Sequence, residues 1–172
     1  MIVFFRGVNV GAHNRFQPAA LAKELASLKI VNIGAAGTFV VRGNTSQAAL
    51  RQQILRNLKF EPELMICTEK ELLDLGTSQA FRQNLPKDVQ RYVTVMSKLP
   101  KTVPALPLER PSGPKWQVRV IEISGRCALS LSRRGEGTLI YPNEVVEKHF
   151  GVSSTTRNWN TIEKIRDILQ KS

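Results

Sequence analysis

Strand, helix, strand, strand, helix, strand is the order of apolar patterns over residues 1–68, and few architectures accept it. "MIVFF" is a continuous apolar run of the length expected for a buried central strand. In "QPAALAKELASL", Pro18 stands where a first helical turn tolerates a missing N–H, and Leu21, Leu25 and Leu28 share one face. The β-branched stretches "IVNIG" and "TFVVR" flank a Gly-Ala-Ala-Gly turn at 34–37. Asn44, with Gln47 three residues later, gives a capping-box start to a helix in which Leu50, Ile54 and Leu58 stack at helical spacing. "ELMICT" closes the unit as a strand. A ferredoxin-like βαββαβ sandwich, with both helices on one face of an antiparallel sheet, satisfies these patterns together.

Residues 69–172 predict a second, smaller antiparallel α+β subdomain. A short helix over roughly 69–75 leads to a strand at "RYVTVMS". The stretch "KLPKTVPALPLERPSGPK" carries Pro100, Pro104, Pro107, Pro111 and Pro114, which predicts a long surface excursion with no regular element. "WQVRVIEI" alternates as a half-exposed strand, turns at Ser124-Gly125, and returns through "RCALSLS". "RRGEG" is a further turn. Two C-terminal helices follow. The first opens at Tyr141-Pro142, carries Val145, Val146, His149 and Phe150, and stops at Gly151. The second begins near Arg157 and runs to about Leu169, with Trp159, Ile162, Ile165 and Leu169 inward. The fold class is therefore α+β, divided as 1–68 and 69–172.

A chain of 172 residues buries roughly 70% of its unfolded surface, so staples are unnecessary. Cys67 and Cys127 are far apart in sequence, as expected of free thiols in a reducing compartment. No stretch approaches the ~20 apolar residues of a membrane span, and "MIVFFRG" is too short for a signal h-region. The expected location is the cytoplasm, away from membranes. The unusual quantity is charge: 25 Lys+Arg against 14 Asp+Glu, a net +11. Such an excess attracts phosphates and nucleic acid. Its longest run is only Arg133-Arg134, and no aromatic–basic interleaving accompanies it.

Two corners concentrate arginine and asparagine. "FRGVNVGAHNR" follows the first strand: Gly7 and Gly11 relax the backbone, Asn9 tolerates left-handed geometry, and Arg6 and Arg15 add charge. The P-loop spacing G-x-x-x-x-G-K-[ST] is absent. A loop pinned by Asn9 and a loop presenting N–H groups to an anion both fit these residues. "TTRNWNT" at 155–161 offers Thr155 or Thr156 as a helix cap, and Asn160 with Glu163 as a second. Capping leaves Arg157 and Asn158 unexplained, and a helix start favours an anion.

"FFRGVNVG" and "TTRNWNTIEKI" resemble the signature ends of the bacterial domain-of-unknown-function family numbered 1697, across nearly the whole chain. The resemblance carries over to Arg6, Gly7, Asn9 and Gly11, and to Thr156, Arg157, Asn158, Trp159, Asn160 and Thr161. It implies an α+β chain with a ferredoxin-like N-terminal half, and no established activity. Ala35-Ala36-Gly37-Thr38 stand where members carry Gln-Ser-Gly-Asn. "GEGTLIY" lacks the Ser-Lys usual after the late glycine turn. A binding role survives such losses more readily than catalysis.

Enzyme templates find little purchase. His13 is the one plausible loop base, and His149 falls on an inward helix stripe. Two His and two distant Cys do not make a metal site, no nucleophile elbow is present, and no cofactor is implied. The catalytic residues are unknown. The expected function is binding of a small anionic ligand, a nucleotide or phosphorylated metabolite, in a cleft formed by Arg6, Asn9, Arg157, Asn158 and Asn160. Two alternatives stand beside it: nucleic-acid binding through the basic surface, and a purely structural clasp made by the two motifs.

Overall fold

The computed structural model describes residues 1–9, 16–77, 79–135 and 137–171. Gly11, His13 and Arg15, named above in the first loop, lie outside them. Two compact units are present: Met1–Leu73 with Lys164–Ser172, and Asp74–Glu163. This division gives the C-terminal residues to the first unit, where the sequence pattern assigned everything after residue 68 to the second.

In the first unit, β1 (Ile2–Arg6), β2 (Ile30–Asn32), β3 (Thr38–Val41) and β4 (Glu63–Cys67) form a four-stranded sheet in the order β2-β3-β1-β4. Every pairing is antiparallel. Two helices, α1 (Pro18–Glu24) and α2 (Gln47–Arg56), interrupt the strands as expected. "MIVFF" sits centrally between β3 and β4 because its side chains are apolar on both faces, and Ile2, Val3, Phe4 and Phe5 are all buried. Val3, Phe5, Phe39, Val41, Leu64 and Ile66 of one sheet face cluster with Leu21 and Leu25 of α1 and Leu50 and Ile54 of α2. Pro18 occupies the first turn of α1 as predicted. The start of α2 differs. Ser46 caps it, accepting from Ala49 N at 3.1 Å, and Asn44 lies outside the helix. A Ser oxygen directly before the first turn outcompetes an asparagine two residues earlier.

The second unit holds a five-stranded antiparallel sheet in the order β6-β7-β8-β5-β9. Its strands are β5 (Val89–Met96), β6 (Leu108–Arg110), β7 (Val118–Ser124), β8 (Cys127–Arg133) and β9 (Ser154–Asn158). The short helix α3 (Glu69–Leu73) ends the main segment of the first unit; in the second, α4 (Gln79–Arg82) precedes the sheet and α5 (Pro142–Phe150) packs on one face. Val145, Val146 and Phe150 of α5 meet Met96, Val118, Val120 and Ala128 there. Gly151, at φ 64, ends α5 as expected. Two expectations are corrected. The proline-rich excursion does contain a regular element, because β6 fits between Pro107 and Pro111 at the sheet edge, where a strand need pair on one side only. "STTRN" is also a strand, paired with β5 from Ser154↔Met96 to Asn158↔Tyr92. The last helix, α6 (Trp159–Gln170), therefore begins at Trp159 and not near Arg157. Thr155 and Thr156 belong to the ladder, and tertiary pairing has overridden a local helix-start pattern.

Candidate functional site

Of the loop after β1, Arg6 and Asn9 are described. Arg6 stands opposite Glu63 in the β1–β4 register, with Nη1 3.6 Å from its carboxylate, and both side chains are substantially exposed. Asn9 adopts the left-handed conformation at φ 55. Its Nδ2 donates to Ala35 O at 2.8 Å, and its Oδ1 accepts from Phe16 N at 3.0 Å. Both ends of the carboxamide are thus spent on main chain, which is the pinned-loop reading.

In the second unit Arg157 extends from β9 and is 9% exposed. Its Nη1 donates to Thr155 Oγ1 at 2.9 Å and to Thr156 O at 2.8 Å. Burial pulls its pKa down to about 10. Asn158 is itself the cap of α6, one residue later than the helix start expected from the sequence: its Oδ1 accepts from Thr161 N and Thr161 Oγ1, each at 2.9 Å. Trp159 packs edge-on against Phe81, ring centroids 4.9 Å apart. Gly76, at φ +68, lies so close to that indole that a Cβ would fall 2.5 Å from it. Asn160 is exposed in the first turn of α6. Of the proposed set, Arg6 and Asn9 belong to the first unit and Arg157, Asn158 and Asn160 to the second.

Several other arginines are held to main chain in the same way. Arg51 donates to Leu64 O, Arg82 to Gly76 O, Arg91 to Phe81 O and Gln83 O, and Arg126 to Met96 O. A guanidinium suits this work, since it remains charged and presents several donors in one plane. Arg110 Nε donates to His149 Nε2 at 2.9 Å. Desolvation first, then Arg110 and Lys148, hold the His149 pKa below its ordinary value.

A different group of residues forms an open concavity. The hairpin of β7 and β8 pairs Val118 with Ser132, so the residues just before β7 lie beside those at the end of β8. The resulting cleft, about 630 Å³, is lined by Asp88, Pro111, Pro114, Lys115, Trp116, Gln117, Arg133, Arg134 and Gly135. Its floor is built firmly. The guanidinia of Arg119 and Arg133 lie over the Trp116 ring, 4.4 and 4.3 Å from its centroid. Arg133 Nε donates to Trp116 O at 2.7 Å, and its Nη2 donates to Pro114 O. Arg119 pairs with Glu109 at 2.6 Å. The Gly113 N–H first, and then Arg119, keep the Glu109 carboxyl below its ordinary pKa. Gln117 is buried; its Nε2 donates to Thr138 O and its Oε1 accepts from Ile140 N, each at 3.1 Å. Gly135 passes so close that a Cβ would be 2.6 Å from Gln117 Cγ. The cleft therefore has an ordered floor with Lys115 and Arg134 exposed along it. Arg133-Arg134 is the longest basic run, and Lys115 and Trp116 lie well apart from it in sequence. Counting back along both strands from the Ser124-Gly125 turn would have joined them.

Among the described residues, no group of three or more His, Cys, Asp and Glu is placed to hold a metal ion, and no helix is long and apolar enough to cross a membrane. Fold and site thus define an α+β protein of two antiparallel sheets, with a basic cleft in its second unit. The sequence model of the family described as Protein of unknown function (DUF1697) matches residues 1–124, and the chain belongs to that family. Neither the curated proteins nor the solved structures contain a match.

Proposed function

We propose that this chain is a binding protein for a small anionic ligand, and that the ligand sits in the cleft of the second unit and not at the two signature corners. The carrying observation is the lining: Lys115, Arg133 and Arg134 face one acid, Asp88, among the described residues of a concavity of about 630 Å³. That volume lies in the range of small-molecule sites. A preorganised cation at Arg133 needs little reordering when an anion arrives. The corners support a structural reading instead. Asn9 is bonded to main chain through both ends of its carboxamide, Arg157 Nη1 is held by Thr155 Oγ1 and Thr156 O, and Asn158 Oδ1 is taken up by the α6 cap. Cys67 and Cys127, buried as thiols, are in keeping with a cytoplasmic location.

Calorimetric titration with orthophosphate, pyrophosphate and nucleoside phosphates tests the proposal. Arg134→Glu and Lys115→Glu should each weaken binding by about tenfold or more, as loss of a charge-assisted hydrogen bond does. Binding that ignores both variants but disappears with Arg6→Ala or Asn160→Ala would return the site to the corners. No binding by any of these anions would remove the proposal.

A further inference from the structure

Asp88 is the feature of the cleft that a site for a bare anion does not call for. Its carboxylate is exposed among the lining residues that include Lys115, Arg133 and Arg134. Among the described residues it makes no hydrogen bond or ion pair, so its two oxygens remain available as acceptors. A carboxylate beside cations weakens the attraction for orthophosphate and for a polyanion alike. It favours a ligand that brings hydrogen-bond donors along with its negative charge. Pro111 and Pro114 add an apolar wall, and a bare phosphate would leave most of the volume unfilled.

We infer that the cleft takes a phosphate ester of a polyhydroxylated ring, with the phosphate at Lys115 and Arg134 and ring hydroxyls donating to Asp88. This rests on the anion-binding reading above. Two sources share that chemistry, sugar phosphates and nucleoside phosphates. Trp116, the one aromatic ring among the described lining residues, is 7% exposed with two guanidinia over it. It gives a base no platform for stacking, so the sugar phosphate carries the recognition.

The test is calorimetric titration of wild type and Asp88→Asn with orthophosphate, ribose 5-phosphate and adenosine 5′-phosphate. Wild type should bind the two esters comparably and more tightly than orthophosphate. Asp88→Asn should weaken the esters by about tenfold, because a charged acceptor becomes a neutral one and its second oxygen is replaced by an NH2 group that cannot accept. The same variant should leave orthophosphate unchanged or tighten it, because a like charge is gone. Opposite signs for the two ligand types support the inference. If Asp88→Asn tightens all three, the inference is overturned while the anion site stands. A nucleotide that binds where ribose 5-phosphate does not also overturns it, since the base would then supply the recognition. If no anion binds wild type, both readings fall together. Asp88 is exposed, and the thermal midpoint of Asp88→Asn, measured alongside, should match wild type.

Discussion

Burial lowers the Arg157 pKa to about 10, so at neutral pH the fold keeps a charge where the surroundings penalise it. Its hydrogen bonds to Thr155 Oγ1 and Thr156 O offset part of that penalty. Arg157→Ala is expected to destabilise the protein by about 1–3 kcal/mol in urea denaturation, because it leaves buried acceptors unmet. Ligand affinity should be unchanged in the fraction that remains folded. His149 supplies the pH dependence. Its pKa is lowered on folding, chiefly by desolvation, so the unfolded chain takes up the proton first as pH falls. The stability contributed by neutral His149 is present above about pH 6.5 and lost on acidification below it. Denaturation midpoints compared at pH 7.5 and 5.5 should fall more for wild type than for His149→Gln. The two corners were legible as a pattern of Arg and Asn. Their roles were not, because whether a guanidinium meets a ligand or a carbonyl depends on which backbone folds against it.

Helix starts separate local from tertiary control at the level of elements. Asn44→Ala should change stability by less than about 0.5 kcal/mol, while Ser46→Ala should cost about 1 kcal/mol, since Ser46 holds the first turn of α2. Thermal or chemical denaturation of the two variants decides it. At α6, Asn158→Ala should likewise cost about 1 kcal/mol through the loss of its bond to Thr161 N. The four strands and two helices of the first unit were readable because the helices carry a clean period and the strands are short apolar or β-branched runs bounded by turn residues. Strands β6 and β9 were not. β6 spans three residues between prolines, and β9 is a polar "STTRN", so neither has an apolar alternation to detect. Each exists because a neighbouring strand, β7 or β5, offers hydrogen bonds to pair with.

For the whole molecule, a net charge of +11 says less about partners than it first suggests. Arg51, Arg82, Arg91, Arg126 and Arg157 are tethered to main-chain carbonyls, which leaves their charge in place but limits their reach towards a phosphate backbone. Binding to a random duplex should therefore be weak. Its logarithmic salt slope, measured by fluorescence anisotropy between 50 and 200 mM salt, should correspond to about three phosphates or fewer. A slope of about six or more would revive the nucleic-acid alternative. The amino-acid order by itself determined the α+β class, the strand and helix succession of the first unit, the β7–β8 hairpin and the family. Those features follow from periodicity and turn chemistry, which act between near neighbours in the chain. Only the tertiary structure decided that the signature Arg157 would be sealed in a strand, and that Lys115, Asp88 and Arg134 would share one cleft. Burial and concavity are set by contacts between distant segments, and no local pattern records them.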